Sequence, residues 1–301
     1  MVSEEKLTML DFRIETFLAV CKHMNYTKAA EELNITQPGV SQHIRFIENY
    51  YGDKLFRYVN KSLELTQAGI ELKNAMIAVK HDNMHLQRAI KNRGFEKQII
   101  RFGATLTIGE FLLPDLLVNY IKANEKVQID FIVEDTKVLL KMLEDGKIDF
   151  AVVEGYFQKS EYESITISKE PFVLACGMDY PLKEVKNFKQ LFMHNLIIRE
   201  DGSGTKEVMG HYLEEKGLSF SDFVSSTTSN SIQVIKKLLE GNCGISFLYE
   251  IAVKKEIEAG LLRKIVLPDF PLFHEFNYIW RKNSIFQDYY KSLFENIVNG
   301  R

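Results

Sequence analysis

A short predicted helix near the N-terminus carries polar side chains that can hydrogen-bond to nucleic acid. Val40, Ile44 and Ile47 recur at helical spacing and predict a buried stripe along one side of this helix. The residues that largely face away from this stripe are Gln37, Gly39, Ser41, Gln42 and Arg45. Glutamine, serine and arginine are residue types that read base edges and hold phosphates. The composition of this face therefore points to recognition of DNA.

Residues 26–50 as a whole predict two short helices joined by a tight turn. We expect Thr27 to cap the first helix, because its hydroxyl can accept a hydrogen bond from a free N–H of the first turn. Ile35 is expected to fill the core at the turn, and Thr36 to cap the second helix. Pro38 is tolerated there because first-turn N–H groups have no intrahelical partner. This is the helix-turn-helix pattern, whose second helix enters the major groove by its N-terminal end; a helix pair that serves only packing is the alternative.

The bulk properties fit a cytosolic protein of two or three domains. The chain has 301 residues, of which 46% are apolar and 26% charged, with a net charge of −3. Residues 1–96 hold 13 basic and 12 acidic residues and the remainder 25 and 29, so the N-terminal part is the more basic. Three widely spaced cysteines, Cys21, Cys176 and Cys243, indicate reduced thiols. Because no signal peptide or transmembrane run is evident, we expect cytoplasmic localisation and no membrane partner.

Two further N-terminal elements flank the helix pair. A helix is predicted over residues 10–24, with Cys21 as a small core residue rather than a reactive thiol. Residues 55–65 predict a two-stranded wing with Asn60 and Lys61 at its tip and Arg57 near its base. A wing beside a recognition helix usually touches the phosphate backbone or the minor groove, so Lys61 is a candidate DNA contact.

Residues 66–93 predict one long helix without proline. Leu72, Val79 and Leu86 repeat every seven residues, which is the spacing of a short coiled-coil seam. We therefore expect this helix to join two subunits, the alternative being an amphipathic helix packed on its own domain. Its histidines, His81 and His85, are expected to be solvated.

Residues 10–72 resemble the N-terminal domain of LysR-type transcriptional regulators. The matching residues are Phe17-Leu18-Ala19-Val20, Tyr26-Thr27-Lys28-Ala29-Ala30-Glu31-Glu32-Leu33, Thr36-Gln37-Pro38-Gly39-Val40-Ser41, Ile44, Glu48, Gly52, Leu55-Phe56 and Leu65-Thr66-Gln67-Ala68-Gly69. Two positions depart from the family pattern, since Gln42 and Tyr58 stand where the family often has arginine. Because glutamine pairs best with adenine and arginine with guanine, Gln42 is expected to change the preferred bases.

The resemblance implies a bacterial DNA-binding regulator that pairs through its linker helix and assembles into a homodimer, and further into a homotetramer. The expected DNA-binding residues are Thr27, Lys28, Gln37, Pro38, Ser41, Gln42, Arg45 and Lys61. The partners implied are a double-stranded DNA operator, a second copy of the chain and a small-molecule effector. RNA polymerase is a further candidate partner.

Beyond a predicted hinge at residues 92–96, strands and helices alternate as in an α/β fold with a largely parallel sheet. The expected strands are 99–104, 127–134, 149–154, 172–176, 195–199, 223–226, 244–249 and 276–280. This part resembles the two-lobed type 2 periplasmic-binding-protein fold of LysR-type effector domains. The expected domains are a winged helix-turn-helix (1–65), a linker helix (66–93) and an effector domain (97–301). Within the last, lobe I covers about 97–166 and 270–301, and lobe II about 167–269.

Hydroxyl-rich junctions between strands and helices are the candidate effector site. In open α/β sheets ligands bind beyond the carboxyl ends of strands, where helix N-termini supply free N–H groups. The candidate residues are Thr105, Thr107, Thr136, Glu154, Ser203, Thr205, Ser229 and Asn230. Each hydroxyl can alternatively be a plain helix cap. Such N-termini suit an anion or a carboxylate, although the acidic Glu154 and Glu200 argue against a simple, highly charged anion.

Two other functions stay open at this point. One is an enzyme fused to a DNA-binding domain, although no CxxC, GxSxG, phosphate-loop or metal-spacing motif supports it. The other is a redox sensor that uses Cys176 and Cys243, for which buried structural thiols are the alternative. We expect no enzyme activity, no metal and no cofactor besides the effector.

Overall fold

The computed structural model of the chain describes residues 11–91, 98–182, 184–267, 270 and 272–299. These residues fall into two compact units. The first unit holds the described residues up to position 91 together with Glu144–Lys147 and Arg281–Phe286, and the second holds the rest. The predicted hinge at 92–96 lies outside the described residues, and the predicted domain boundaries stay predictions.

The first unit contains a winged helix-turn-helix. Its elements are α1 (Phe12–His23), α2 (Tyr26–Leu33), α3 (Gln37–Tyr51), β1 (Phe56–Val59), β2 (Ser62–Leu65) and the long α4 (Gln67–Lys91). Phe17 and Val20 of α1 meet Val40, Ile44 and Ile47 of α3 in one buried core. Ala29 and Ala30, both buried on α2, let the helices approach closely. The predicted stripe and wing are therefore confirmed.

Of the two caps predicted for the helix pair, one is confirmed and one is wrong. Thr36 caps α3 as predicted, because its hydroxyl accepts from the N–H of Gly39 at 3.2 Å. Thr27 does not cap α2. Asn25 does, since its Oδ1 accepts from the N–H groups of Thr27 at 2.9 Å and Lys28 at 3.0 Å. Ile35 was also wrongly predicted as a core residue, because it is 38% exposed.

A buried carboxylate ties the end of α3 to the start of the wing. Glu48 accepts hydrogen bonds from the backbone N–H of Leu55 at 3.1 Å and from Nζ of Lys54 at 2.6 Å. At the wing tip, Val59 and Ser62 are cross-strand partners around a two-residue turn. Asn60 and Lys61 occupy that turn with φ of 49° and 66°, the geometry that matches the strand twist of a tight hairpin.

The long helix α4 does not present one uniform seam. Leu72 is buried in the core of the helix-turn-helix, whereas Val79 and Leu86 are exposed. His81, which was expected to be solvated, is fully buried next to Asp82. Asp82 accepts hydrogen bonds from Oγ of Ser284 at 2.6 Å and the N–H of Ile285 at 2.8 Å, both within the first unit. The burial of His81 and Asp82, together with the hydrogen bonds of Asp82, explains why polar residues interrupt the apolar repeat of α4.

The elements that follow α4 alternate strands and helices as predicted. They are β3 (Gln98–Ala104), α5 (Leu113–Ala123), β4 (Val127–Val133), α6 (Thr136–Glu144), β5 (Phe150–Val153), β6 (Tyr162–Gly177), β7 (Asn195–Arg199), α7 (Gly204–Glu215), β8 (Ser225–Ser229), α8 (Ile232–Glu240), β9 (Ile245–Tyr249), α9 (Glu250–Glu258), β10 (Leu262–Ile265), β11 (Phe273–Arg281) and α10 (Gln287–Asn299). A π-helical turn, Ile108–Leu112, precedes α5, and 3₁₀ helices lie at Phe188–Met193 and Phe220–Asp222.

The strands of the second unit form a mixed sheet in the order β4-β3-β5-β11-β6-β9-β7-β8, with β10 on β6. We call the part that carries β3, β4, β5 and β11 lobe I, and the part that carries β6 to β10 lobe II. The parallel pairs are β3 with β4 and β5, and β7 with β8 and β9. β11 and β6 pair antiparallel with β5 and β9, so the prediction of a largely parallel sheet was wrong. The sequence also did not reveal β10 or the 16-residue length of β6.

The cap assignment at α2 gives a direct test. Asn25→Ala removes the acceptor for two first-turn N–H groups, so the free energy of opening α2 should fall by about 1 kcal/mol. Thr27→Ala removes no cap and should change it by less than about 0.5 kcal/mol. Hydrogen exchange at the α2 amides of the full chain measures both. Asn25→Asp keeps a capping oxygen and is the control; equal effects of Asn25→Ala and Thr27→Ala would contradict the assignment.

Candidate DNA interface and effector site

The N-terminal turns of α3 present a continuous polar surface. Gln37, Gln42 and Arg45 are exposed, and Ser41 is half-buried. Gln37 and Ser41 lie one turn apart, where Nε2 of Gln37 donates to Oγ of Ser41 at 3.0 Å. Amide, hydroxyl and guanidinium groups therefore stand together on one face, backed by the buried stripe on the other. Such a face can donate to and accept from base edges in a major groove.

Three further predicted DNA contacts lie at the ends of other elements of the first unit. Thr27 and Lys28 are exposed in the first turn of α2, and Lys61 is exposed at the wing tip. A helix N-terminus and a lysine on a tight turn both suit phosphate oxygens. Arg57, in contrast, pairs with Glu64 across the wing at 3.3 Å, which neutralises its charge locally.

In the second unit three of the predicted effector residues hydrogen-bond to a fourth, the buried carboxylate of Glu154. Oε2 of Glu154 accepts from the hydroxyl of Thr105 at 3.1 Å, and Oε1 accepts from the hydroxyls of Thr107 and Thr205, each at 3.1 Å. Thr105 follows β3 and Glu154 follows β5; these strands are parallel neighbours, so both residues leave the sheet at the same edge. Thr205 belongs to α7 of lobe II. The carboxylate therefore joins the two lobes, and all four side chains are buried.

The N-terminus of α7 approaches this carboxylate closely. A Cβ at Gly204 would lie 2.7 Å from Cγ of Glu154, so only glycine fits there without movement. Ser203 caps the helix, accepting from the N–H of Lys206 at 3.2 Å. Ser203 was predicted to bind the effector, but its hydroxyl acts as a helix cap. The partial positive charge of a helix N-terminus stabilises a carboxylate at this position.

Three buried polar atoms in this region make no hydrogen bond with any described residue. They are Oγ1 of Thr136, Oη of Tyr249 and Nη1 of Arg199. The other two nitrogens of the Arg199 guanidinium group donate to Glu200, each at 2.8 Å. Thr136 was predicted from its place at a helix start. Arg199 and Tyr249 were not, because a strand-end arginine and tyrosine give no signal of their own in the sequence.

The surroundings set the protonation of Glu154. Burial raises the pKa of this carboxyl to about 6, against the opposing effects of the three threonine hydroxyls and of Arg199. His274 hydrogen-bonds to the Glu154 backbone, and burial lowers the pKa of its imidazole. Near neutral pH the carboxyl is therefore mostly ionised, yet it titrates much closer to neutrality than an exposed glutamate.

Ser229 and Asn230, like Thr136 and Ser203, make no hydrogen bond to Glu154 among the described residues. Oγ of Ser229 hydrogen-bonds to the backbone of Ser231 within its own turn. Asn230 is exposed beside it. Their junction before α8 has Ser231 as its cap, which accepts from the N–H of Val234 at 3.3 Å.

The cysteines occupy three different environments. Cys21 is half-buried beside the first unit's core, and burial raises the pKa of its thiol to about 12. Cys176 is buried and Cys243 is exposed, so the alternative of a buried structural thiol fits Cys176 and is wrong for Cys243. In the described part of the chain, no group of three or more His, Cys, Asp or Glu residues is arranged to hold a metal ion. No helix there is long and apolar enough to cross a membrane.

The raised pKa of Glu154 predicts a pH-dependent stability. The Glu154 carboxyl has a pKa of about 6 in the folded protein and 4.5 in the unfolded chain. Because the folded state holds the proton more tightly, this group stabilises the fold most below pH 4.5 and loses that contribution as pH rises through 6. The unfolding free energy of wild type, relative to Glu154→Gln, should thus fall by about 2 kcal/mol across that window. The sole tryptophan, Trp280, lies in the second unit, so its fluorescence during urea unfolding measures the effect. A difference that does not vary with pH would refute the shifted pKa.

Comparison with known proteins places both units in one family. The family model "Bacterial regulatory helix-turn-helix protein, lysR family" matches residues 13–70, and the model "LysR substrate binding domain" matches residues 93–297. An uncharacterized HTH-type transcriptional regulator of Methanocaldococcus jannaschii is 32% identical over 261 residues, covering 85% of this chain and 87% of that protein. The RuBisCO operon transcriptional regulator of Allochromatium vinosum is 24% identical over 273 residues, covering 90% and 89%.

The fold agrees with that of a solved structure. A Corynebacterium glutamicum OxyR mutant superposes with a TM-score of 0.58 at 19% identity, covering 96% of this chain and 91% of that one. The matched models together span the helix-turn-helix and nearly all of the α/β unit. The chain belongs to the LysR family of transcriptional regulators, with an N-terminal DNA-binding helix-turn-helix followed by a LysR-type effector-binding domain.

Proposed function

We propose that this regulator reads its operator with the polar face of α3 and changes its DNA binding when a small molecule occupies the site around Glu154. The observation that carries the first part is the polar face formed by the exposed Gln37, Gln42 and Arg45 and the half-buried Ser41, opposite a buried apolar stripe. The second part is supported by the convergence of hydroxyls from both lobes on one carboxylate.

On DNA, the N-terminal turns of α3 would lie in the major groove. Gln42 and Arg45 would reach base edges, with Gln37, Pro38 and Ser41 at the entry of the helix. Lys28 and Thr27 would contact one stretch of phosphate, and Lys61 of the wing another. Base contacts give sequence preference, whereas phosphate contacts position the protein on the duplex. Loss of a base contact should therefore change which sequences are preferred, and loss of a phosphate contact should weaken binding to every sequence.

Exposed apolar residues on α4 support pairing of two copies. Val79, Leu86 and Ile90 are 45%, 37% and 52% exposed, at spacings of seven and four residues. Such spacing places them on one side of a helix, as a two-stranded seam requires. A dimer would present two recognition helices to a two-fold operator whose half-sites lie about 34 Å apart or at a multiple of that distance. We further propose that two such dimers assemble into a tetramer and that the protein contacts RNA polymerase. We also propose that it acts in the cytoplasm, where DNA is its partner.

An effector would act by shifting a population of conformations. Because Thr105 and Thr107 belong to lobe I and Thr205 to lobe II, any ligand that binds them all favours one separation of the lobes. A ligand changes an equilibrium only by as much as its affinity differs between the two states. The chain's role is then regulation rather than catalysis.

The base-reading role of Gln42 is testable with one substitution. Gln42→Ala removes a bidentate donor–acceptor pair, so binding to the specific operator should weaken by about 1–3 kcal/mol and base choice at one position should relax. Affinity for unrelated duplexes should change little. Titration of the full chain with operator variants, at fixed salt, measures both.

The control lies on the same helix. Asn49→Ala alters an exposed residue near the C-terminal end of α3, away from the proposed groove contacts, and should leave specificity intact. If Gln42→Ala weakens binding equally on every sequence, Gln42 does not read a base.

The wing lysine should show the opposite behaviour. Lys61→Ala removes one phosphate contact, so binding to all duplexes should weaken, and the slope of log affinity against log salt should fall by about one unit per contact. Lys122, an exposed lysine of the second unit, provides the matched control. An unchanged salt slope in Lys61→Ala would show that the wing tip does not touch the backbone.

A further inference from the structure

The side chains around Glu154 identify the chemical class of the effector, an inference that rests on the proposed function of this site. We propose that the effector is a compact oxyanion of single charge, such as a small carboxylate, which replaces the Glu154 carboxylate on the threonine hydroxyls while Glu154 takes up one proton from solvent.

The site is rich in donors and poor in acceptors. Thr105, Thr107 and Thr205 all donate to the same carboxylate. Nη1 of Arg199, which can only donate, is buried without a partner. The hydroxyls of Thr136 and Tyr249 are buried without partners as well. Since a buried donor without an acceptor is unfavourable, this arrangement selects a ligand that brings several acceptor oxygens.

Glu154 already occupies the position that such a ligand needs. Its carboxylate has the shape and charge of a small carboxylate ligand, and it accepts hydrogen bonds from hydroxyls of both lobes. A cavity beside Arg199 and Thr205 has room for about one water molecule. The three hydroxyls that such a ligand would use already donate to Glu154, so a ligand must take the carboxylate's place on them. Glu154 is therefore a built-in competitor of the effector.

The charges around Glu154 limit the charge of the ligand. Arg199 of β7 faces the carboxyl but is paired with Glu200 through two of its nitrogens. Tyr249 of β9 also faces it, and burial raises the pKa of that phenol, which keeps it neutral. His274 of β11 binds the Glu154 backbone and is kept neutral by burial. Lys206 of α7, which lines the same cavity as Arg199, is paired with Asp201 at 2.8 Å. Arg199 and Lys206 are thus each paired with a carboxylate and do not balance a dianion, while a cationic ligand would meet donors and a helix N-terminus.

Proton uptake keeps the charge of the site constant. The carboxyl of Glu154 has a pKa of about 6, and an anion beside it would raise that pKa further. Binding one anion and one proton leaves the net charge unchanged, and protonated Glu154 then donates to the ligand instead of repelling it. Above pH 6 the apparent affinity should therefore fall about tenfold for each pH unit.

Calorimetric titration of the full chain tests the proposal with three probes: formate as a compact monoanion, sulfate as a dianion and methylammonium as a cation. Each titration is repeated in buffers of different ionisation enthalpy, which gives the number of protons taken up per ligand. Glu154→Gln is neutral at all pH values and mimics the protonated state. His274→Gln is the matched control for titration of the neighbouring imidazole.

We expect formate to bind best, with uptake of about one proton near pH 8 in wild type and in His274→Gln. Glu154→Gln should take up none and should bind formate about a hundredfold more tightly than wild type at pH 8, two units above the pKa of Glu154. Preference for methylammonium or for sulfate, equal proton uptake in wild type and Glu154→Gln, or no formate binding to Glu154→Gln would each overturn the proposal. The operator titrations of Gln42→Ala and Lys61→Ala do not depend on this site, so failure here is distinguishable from failure of the proposed DNA-binding function.

Discussion

The hydrogen bonds of three threonine hydroxyls to the Glu154 carboxylate are the interaction on which the second unit depends. A buried charge is tolerated only where hydrogen bonds and nearby dipoles replace its hydration. Thr105 and Thr107 supply two of these hydrogen bonds from lobe I, and Thr205 supplies the third from lobe II. Removing either lobe's contribution would leave the carboxylate short of donors. The sheet order, which brings the ends of β3 and β5 to one edge, is what makes this convergence possible.

The first unit separates packing from the proposed DNA recognition on a single helix. Val40, Ile44 and Ile47 bury one side of α3, so that the other side needs no packing role and can carry amides and a guanidinium group. The one acidic residue of α3 is held away from that face, because Glu48 is buried against Leu55 and Lys54. An exposed glutamate on the polar face would repel phosphates. Burying it as the link to the wing removes that conflict and also fixes where the wing begins.

Local patterns were sufficient to predict most elements, whereas tertiary contacts decided the details that the sequence could not supply. Thr36 could be recognised as a cap because it precedes Gln37-Pro38, a helix start signal. At α2, Asn25 and Thr27 are both good caps, and only the backbone conformation of Asn25 separates them. Asp82 lies on a helix with an apolar repeat, but its hydrogen-bond partners, Ser284 and Ile285, are about two hundred positions away in the chain. The hydroxyls near Glu154 were predictable as junction residues, whereas the orphaned groups of Arg199 and Tyr249 are visible only once strands from distant segments lie side by side.

A built-in carboxylate changes what ligand binding can achieve in this domain. If the effector-free site were an empty cleft, the whole interaction energy of the ligand would be available to draw the lobes together. Here the hydroxyls of both lobes are already satisfied by Glu154, so the ligand contributes only the difference between its own hydrogen bonds and those it replaces. An effector that reproduced the carboxylate's contacts alone would shift no population, however tightly it bound. In the proposed mechanism, the unpartnered groups of Arg199, Tyr249 and Thr136 would supply the contacts that Glu154 does not make, and these would give an acceptor-rich ligand the differential affinity that regulation requires.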